Sequence, residues 1–168
     1  MRVMDGLMAI PSILLAVALM ALTRASVTNV IVAISVAEIP RVVRLVRSLV
    51  LTLRDEVYVQ AAISSGTRLP RILRRHILPN VMGPVLVQGT YIFAAAILIE
   101  AALSFLGAGT PSNVPSWGNT ISEGRPFFLL AAWIVIIPGM FLSATVLAVN
   151  LLGDGLRDAL DPRLSRQL

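Results

Sequence analysis

Residues 6–23, 81–99, 101–122 and 126–153 contain no charged side chain at all. A helix rises ~1.5 Å per residue and the hydrocarbon core of a bilayer is ~30 Å thick, so one crossing takes about 20 residues. Segments near 6–23, 81–106 and 127–152 reach that length. Only 14% of the 168 residues are charged and 57% are hydrophobic, against about 25% charged in a soluble domain. So little polar surface cannot cover a water-soluble fold. The chain is therefore expected to be an all-α, polytopic integral membrane protein forming one domain over residues 1–168. The apolar stretch 25–37 is too short to cross alone. If its helix continues through Glu38, Pro40 and Arg41, a further span results at 27–47, making four.

The arginines orient these spans. All 14 basic residues are arginine, and cytoplasmic flanks are the arginine-rich ones. With four crossings, Arg2, the run Arg41, Arg44, Arg47, Arg54, Arg68, Arg71, Arg74 and Arg75, and the tail residues Arg157, Arg163 and Arg166 share one side. Only Arg24 and Arg125 lie on the other. Three crossings would divide them far less cleanly. Both termini, the loop 48–80 and the tail 153–168 are therefore expected in the cytoplasm. The Gly-, Pro-, Ser- and Asn-rich connection 107–126 is expected outside as turns, with Trp117 and Trp133 at the outer interface. The opening MRVMDGLM lacks the basic flank and the cleavage site of a signal peptide. With no cysteine and His76 as the single histidine, no metal site is expected. Lysine is absent, and with it the Gly-rich phosphate loop ending in Lys. No catalytic residue, bound cofactor or nucleic-acid partner is expected, and the chain is read as not itself an enzyme.

The arginine-rich stretch QAAISSGTRLPRILRRHILPN (60–80) has an internal pattern. Residues 51–63 continue the second span as a helix, which Ser64, Ser65 and Gly66 break. Thr67 then caps a short helix with Pro70 in its first turn, where backbone N–H groups lack partners anyway. Leu69, Ile72, Leu73 and Ile77 share a face of it, and Leu78-Pro79-Asn80 ends it. Two readings fit this periodicity. A basic amphipathic helix lies on the inner leaflet, its arginines toward anionic head groups; such a chain would be a non-transporting, lipid-binding membrane scaffold. Alternatively the helix seats its apolar face in a groove of a soluble partner.

The same residues carry a resemblance. Gln60-Ala61-Ala62, three residues, Gly66, then Leu78-Pro79 resembles the "EAA" loop of binding-protein-dependent ABC importer permeases, with Gln60 in place of the usual Glu and His76 in place of the usual Ile. Arg75-His-Ile-Leu-Pro-Asn80 is the form typical of the dipeptide, oligopeptide and nickel subgroup. Leu103-Ser-Phe-Leu-Gly107, Pro115-Ser-Trp-Gly118 and the stretch from Asn150 to Arg163 are similar to that subgroup as well, the last to its second, C-type, subunit. The resemblance implies half of a translocation pathway in a bacterial or archaeal cell membrane, paired with a second permease subunit. It further implies two cytoplasmic ATPase subunits, which would use the ATP and Mg, and an external solute-binding protein. Carried onto this chain, it puts Gln60, Ala61, Ala62 and Gly66 at the bend of a coupling helix. Leu69, Arg71, Ile72, Leu73, His76, Leu78 and Pro79 then belong to its contact with an ATPase. Family members typically have six spans, so two are expected to be missing before Arg2.

Acidic residues interrupt the apolar segments at two places. Glu100 is costly at membrane depth; it serves transport, or it is hydrated near the outer helix end, or it pairs with a neighbouring subunit. Glu100 and Ser104 are the candidate pathway residues. Glu38 and Arg41, three apart on a helix, are expected to neutralise one another. Asn150, Asp154, Arg157, Asp158 and Asp161 form a polar tail, either a solvated helix end or a subunit contact.

Overall fold

The computed structural model describes residues 2–160 and is helical throughout, with no strand among the described residues. Asp161, Arg163 and Arg166 lie outside the described residues.

The chain opens with two short helices, α1 (Arg2–Met8) and α2 (Ser12–Ala21), which meet at 93°. The apolar run 6–23 is thus broken rather than straight. Pro11 is the cause. It has no N–H to give, disfavours helical geometry at Ile10, and takes φ −53°, ψ 134° just before α2. An ion pair between Asp5 and Arg44 (2.9 Å) ties α1 to the next helix.

That helix, α3 (Val27–Arg54), starts at Ser26, whose hydroxyl accepts from the Asn29 N–H at 3.1 Å. It runs unbroken through Pro40. Within it Glu38 is almost fully buried (3% exposed) and its Oε2 lies 3.0 Å from Arg41 Nη1. The charges are in contact as expected, although neither Glu38 oxygen receives a hydrogen bond of good alignment.

Helix α3 does not extend to residue 63. It stops at Arg54, and a separate α4 spans Val57–Ser64. The break at residues 64–66 is where the sequence places it. Thereafter α5 (Leu69–Ile72), a π-turn (Leu73–Ile77) and α6 (Leu78–Phe105) form one continuous 37-residue helix. Leu78-Pro79-Asn80 therefore does not end the short helix, and Thr67 does not cap it; Arg68 occupies the cap without a side-chain bond. The π-turn explains how the helix survives Pro79. Widening to i→i+5 bonding, seen in the Leu78 N–H to Leu73 carbonyl bond, makes room for the ring. The Asn80 side-chain amide also donates to the His76 carbonyl, at 2.6 Å.

Beyond α6 the connection is not all turn: α7 (Trp117–Gly124) lies within it, capped by Ser116, and leads through a 3₁₀ turn (Arg125–Phe127) to α8 (Trp133–Leu160). Helix α8 starts later than residue 127 and continues eight residues past 152, so the first half of the expected tail is helical. Helices α6 and α8 cross closely at Gly153, where an added Cβ would lie 2.4 Å from the Thr90 hydroxyl. One apolar core joins Ala16 and Met20 of α2, Val30, Ala33 and Ile34 of α3, and Ile99 and Leu103 of α6. A second joins Val59, Ile72, Ile77 and Val81 to the last turns of α3. Two helices are long and apolar enough to cross a membrane, or three if α1 and α2 count as one bent span. Helix α3 fails that test because Glu38, Arg41 and Arg44 fall in its middle.

Candidate functional sites

The first candidate is the hairpin of α4 and α5. Its turn is a Schellman motif: the Thr67 N–H bonds the Ala62 carbonyl (3.1 Å) and the Gly66 N–H bonds the Ile63 carbonyl (2.9 Å). Gly66 takes φ +73°, a left-handed conformation that only glycine adopts without strain. Ala62 is half-buried against the lower core, and Ala61 offers its carbonyl to the Ser65 hydroxyl (2.8 Å). The Gln60 amide donates to the Arg54 carbonyl at 2.9 Å and so closes the end of α3. A glutamate at position 60 has no proton to give there. Gln60→Glu is expected to loosen the α3–α4 elbow by about 1 kcal/mol, one exposed hydrogen bond. Hydrogen exchange at residues 55–60 should rise in that variant, and unchanged protection would refute the bond's role.

The expected apolar face of α5 is divided. Ile72 (4% exposed) and Ile77 (6%) are buried against Val59 and α3, whereas Leu69 (67%) and Leu73 (43%) face outward. The π-turn accounts for this, since widened turns stack residues five apart rather than three or four apart. Two isoleucines anchor the hairpin and two leucines are left on show, and Ile63 of α4 is exposed as well. Arg71, Arg74 and Arg75 flank Pro70 in a shallow hollow, and His76 packs its ring 6.0 Å from that of Tyr58. Leu78 and Pro79 are exposed on the following turn. The sequence offered no sign of the Tyr58–His76 contact.

The second candidate is a polar knot at the far end of α6. One Glu100 oxygen, Oε1, accepts from the Ser104 hydroxyl (2.7 Å) and the Thr110 hydroxyl (3.1 Å). The Thr110 N–H donates to Ser104 Oγ (3.2 Å). The buried Asn119 amide then donates to Thr110 Oγ1 (3.2 Å) and to the carbonyls of Pro111 (3.1 Å) and Val114 (2.9 Å). Sequence reasoning named Glu100 and Ser104 as separate candidates and did not include Thr110 and Asn119.

The local chain path builds this knot. Helix α6 ends in another Schellman turn, with Gly107 at φ +77° and the Ala108 N–H on the Leu103 carbonyl at 2.8 Å. The chain then turns back so tightly that a Cβ on Gly109 would sit 2.4 Å from the Ser104 nitrogen. Gly118 on α7 lies so close to α6 that its Cβ would meet Ala101 Cα and O at 2.7 Å. The stretches Leu103–Gly107 and Pro115–Gly118, apart in sequence, are the two sides of one contact. Between α3, α6 and α7 a cleft of about 570 Å³ opens, lined by Glu100, Thr110, Val27, Ile31, Phe93 and Trp117.

The polar tail forms a smaller cluster. The Tyr91 hydroxyl donates to Asp154 across the α6–α8 interface. A further hollow there is lined by Gln88, Tyr91 and Arg157. No group of three or more metal-ligating acids, histidines or cysteines occurs among the described residues.

An all-helical chain with two to three helices long and apolar enough to cross a membrane falls in the class of polytopic α-helical membrane proteins. Residues 1–166 match the family described as "Binding-protein-dependent transport system inner membrane component", and the chain belongs to that family. It is 55% identical over 99% of its length to a probable peptide ABC transporter permease protein of Sinorhizobium fredii, covering 57% of that protein. A dipeptide transport system permease protein of Alkalihalophilus pseudofirmus is 45% identical, with 97% of this chain and 54% of that one aligned. A glutathione transport system permease protein of Escherichia coli is 42% identical, with 98% and 54% aligned. The chain therefore spans about half the length of these curated relatives.

Proposed function

We propose that this chain is part of a transmembrane subunit in an ATP-driven peptide importer. In this reading the bent α1–α2 pair, α3, α6 and α8 are its four spans here, with both chain ends and the α4–α5 hairpin in the cytoplasm. The arginine distribution supports that orientation. A second permease subunit completes the pathway, an external binding protein delivers the solute, and two ATPase subunits use ATP and Mg. Peptides are favoured over nickel as cargo because the relatives are named for peptides, dipeptides and glutathione.

The observation that carries the coupling role is the divided apolar face of the hairpin. Ile72 and Ile77 fix it to α3 and α4, while Leu69, Leu73 and Ile63 stay exposed around a glycine-locked turn. A segment that served only to carry positive charge would need neither the turn geometry nor the outward leucines. Gln60, Ala61, Ala62 and Gly66 shape the bend; Leu69, Arg71, Leu73, His76, Leu78 and Pro79 form the contact, with Ile72 holding it from behind. Glu100 and Ser104 stand on the pathway.

The full-length permease, reconstituted with its partner subunits in proteoliposomes, is expected to accumulate a radiolabelled dipeptide only when ATP is supplied. Nickel uptake without peptide uptake would overturn the cargo, and no ATP-dependent uptake of either would overturn the importer reading.

A further inference from the structure

We infer that the cleft between α3, α6 and α7 binds the free α-ammonium group of a peptide, with Glu100 as its counter-ion. This rests on the importer reading above and names a contact within it. Four observations carry it.

The carboxylate is half-committed. Oε1 takes two hydroxyl donors, from Ser104 and Thr110, whereas no donor reaches Oε2 among the described residues, and Oε2 is not sealed from the surface. The two hydroxyls, that of Thr110 held in turn by the Asn119 amide, fix the carboxyl group in one orientation and leave its second oxygen for a ligand.

The cleft has one acid and mostly apolar walls. Val27, Ile31, Phe93, Ile97 and Trp117 line it together with Glu100. Such walls suit a molecule with one positive group on an apolar body, not a hydrated inorganic cation. A divalent metal needs several oxygen, nitrogen or sulfur ligands, and a single carboxylate with two hydroxyls already engaged does not supply them.

The volume agrees. At about 570 Å³ the cleft falls within the ~300–1,000 Å³ typical of small-ligand sites, which suits a di- or tripeptide better than a long chain.

The aromatic rings strengthen the cation reading. Phe93 and Trp117 are both partly exposed along the cleft, and an ammonium over such a face is attracted by the ring quadrupole.

The test uses the intact importer in nanodiscs without its binding protein, so that recognition by the binding protein does not enter. Equilibrium binding of radiolabelled leucyl-leucine amide is compared with that of its N-acetyl form and of N-acetyl-lysine amide. Wild type is expected to bind the free amine about tenfold or more tightly than the acetylated peptide, as expected for a hydrogen bond to a charged group. Glu100→Gln should lose that preference, and Glu100→Asp should retain part of it. The comparison of ligands on wild type needs no variant, so a misfolded variant does not spoil it.

Equal binding of the free and acetylated peptides by wild type overturns the inference, as does an undiminished preference in Glu100→Gln. Tight binding of N-acetyl-lysine amide moves the cation to a side chain and also overturns it. No peptide binding at all, with ATP-dependent uptake intact in proteoliposomes, removes this site but leaves the importer reading standing. Loss of uptake in wild type removes that reading itself.

Discussion

On the importer reading proposed above, a full-length permease carrying Gly66→Arg and Leu73→Asp together is expected to insert into the membrane at normal levels yet no longer co-purify with the ATPase subunit that reading requires. The two changes attack separate parts of the hairpin. Gly66 holds φ +73°, where a residue with a Cβ costs about 1–2 kcal/mol, so the Schellman turn that aims α5 is strained. Leu73 is 43% exposed, and an aspartate there places a charge where a docking groove would bury a leucine. An unpaired buried charge is among the costliest interface defects, typically several kcal/mol. Together they should reduce co-purification to background and abolish ATP-dependent uptake. The fold should survive, because the space around Gly66 is open and Leu73 belongs to neither buried cluster.

The contrast that gives this meaning is Ile72→Asp. Ile72 is 4% exposed and sits in the lower core with Val59, Ile77 and Val81, so that variant should lose expression altogether rather than partner binding alone. A lipid-surface role for the loop predicts a different pattern. Neutralising Arg68, Arg71, Arg74 and Arg75 would then release the loop from anionic vesicles, while the Gly66 and Leu73 changes would have little effect. If the ATPase still co-purifies with the Gly66→Arg, Leu73→Asp protein, docking through this hairpin is wrong.

The features legible in the sequence are those set by local chemistry. Charge-free runs announced the long α6 and α8. Ser64-Ser65-Gly66 announced the hairpin turn, because a glycine free to take positive φ ends a helix in a characteristic way. Two features escaped for one shared reason, that proline acts through its surroundings. Pro11 breaks a helix and Pro79 is absorbed by a π-turn, whereas Pro40 is carried inside α3 without a break, as a span at 27–47 required. Nothing in the flanking residues says which outcome applies, since it depends on whether the local turn can widen to make room for the ring, as it does in the Leu78 N–H to Leu73 carbonyl bond. The divided face of α5 escaped because it was read at 3.6 residues per turn, whereas the widened turn sets a different period. At the second site Glu100 was conspicuous as an acid in an apolar run. Thr110, which donates to it, and Asn119, which donates to Thr110, lie in a Gly/Pro-rich stretch that reads as loop. Only the return of that stretch onto α6 makes them neighbours.

That return depends on glycine at contacts where no side chain fits, which gives the second large effect. Gly118→Ala is expected to destabilise the protein by about 1–3 kcal/mol, the usual range for forcing extra atoms into a packed contact. The added Cβ would lie 2.7 Å from both the Cα and the carbonyl oxygen of Ala101 and 2.8 Å from Ser104 Cβ. Two of these are backbone atoms of α6, so no rotamer change relieves them and α7 must move away. Retreat of α7 draws Asn119 from Thr110, and Thr110 then no longer holds Glu100. Thermal unfolding in detergent should fall by several degrees, at about 2–4 °C per kcal/mol for a chain of this size. Gly89→Ala supplies the control: it sits within α6 with no atom within 4 Å of the added methyl. It should melt at or slightly above the wild-type temperature, since alanine favours a helix by up to about 1 kcal/mol over glycine. Equal melting temperatures for the two variants would mean that α7 does not press on α6. If instead Gly118→Ala melts low and also loses the preference for a free peptide amine, the glycine contact is what positions the Glu100 carboxylate.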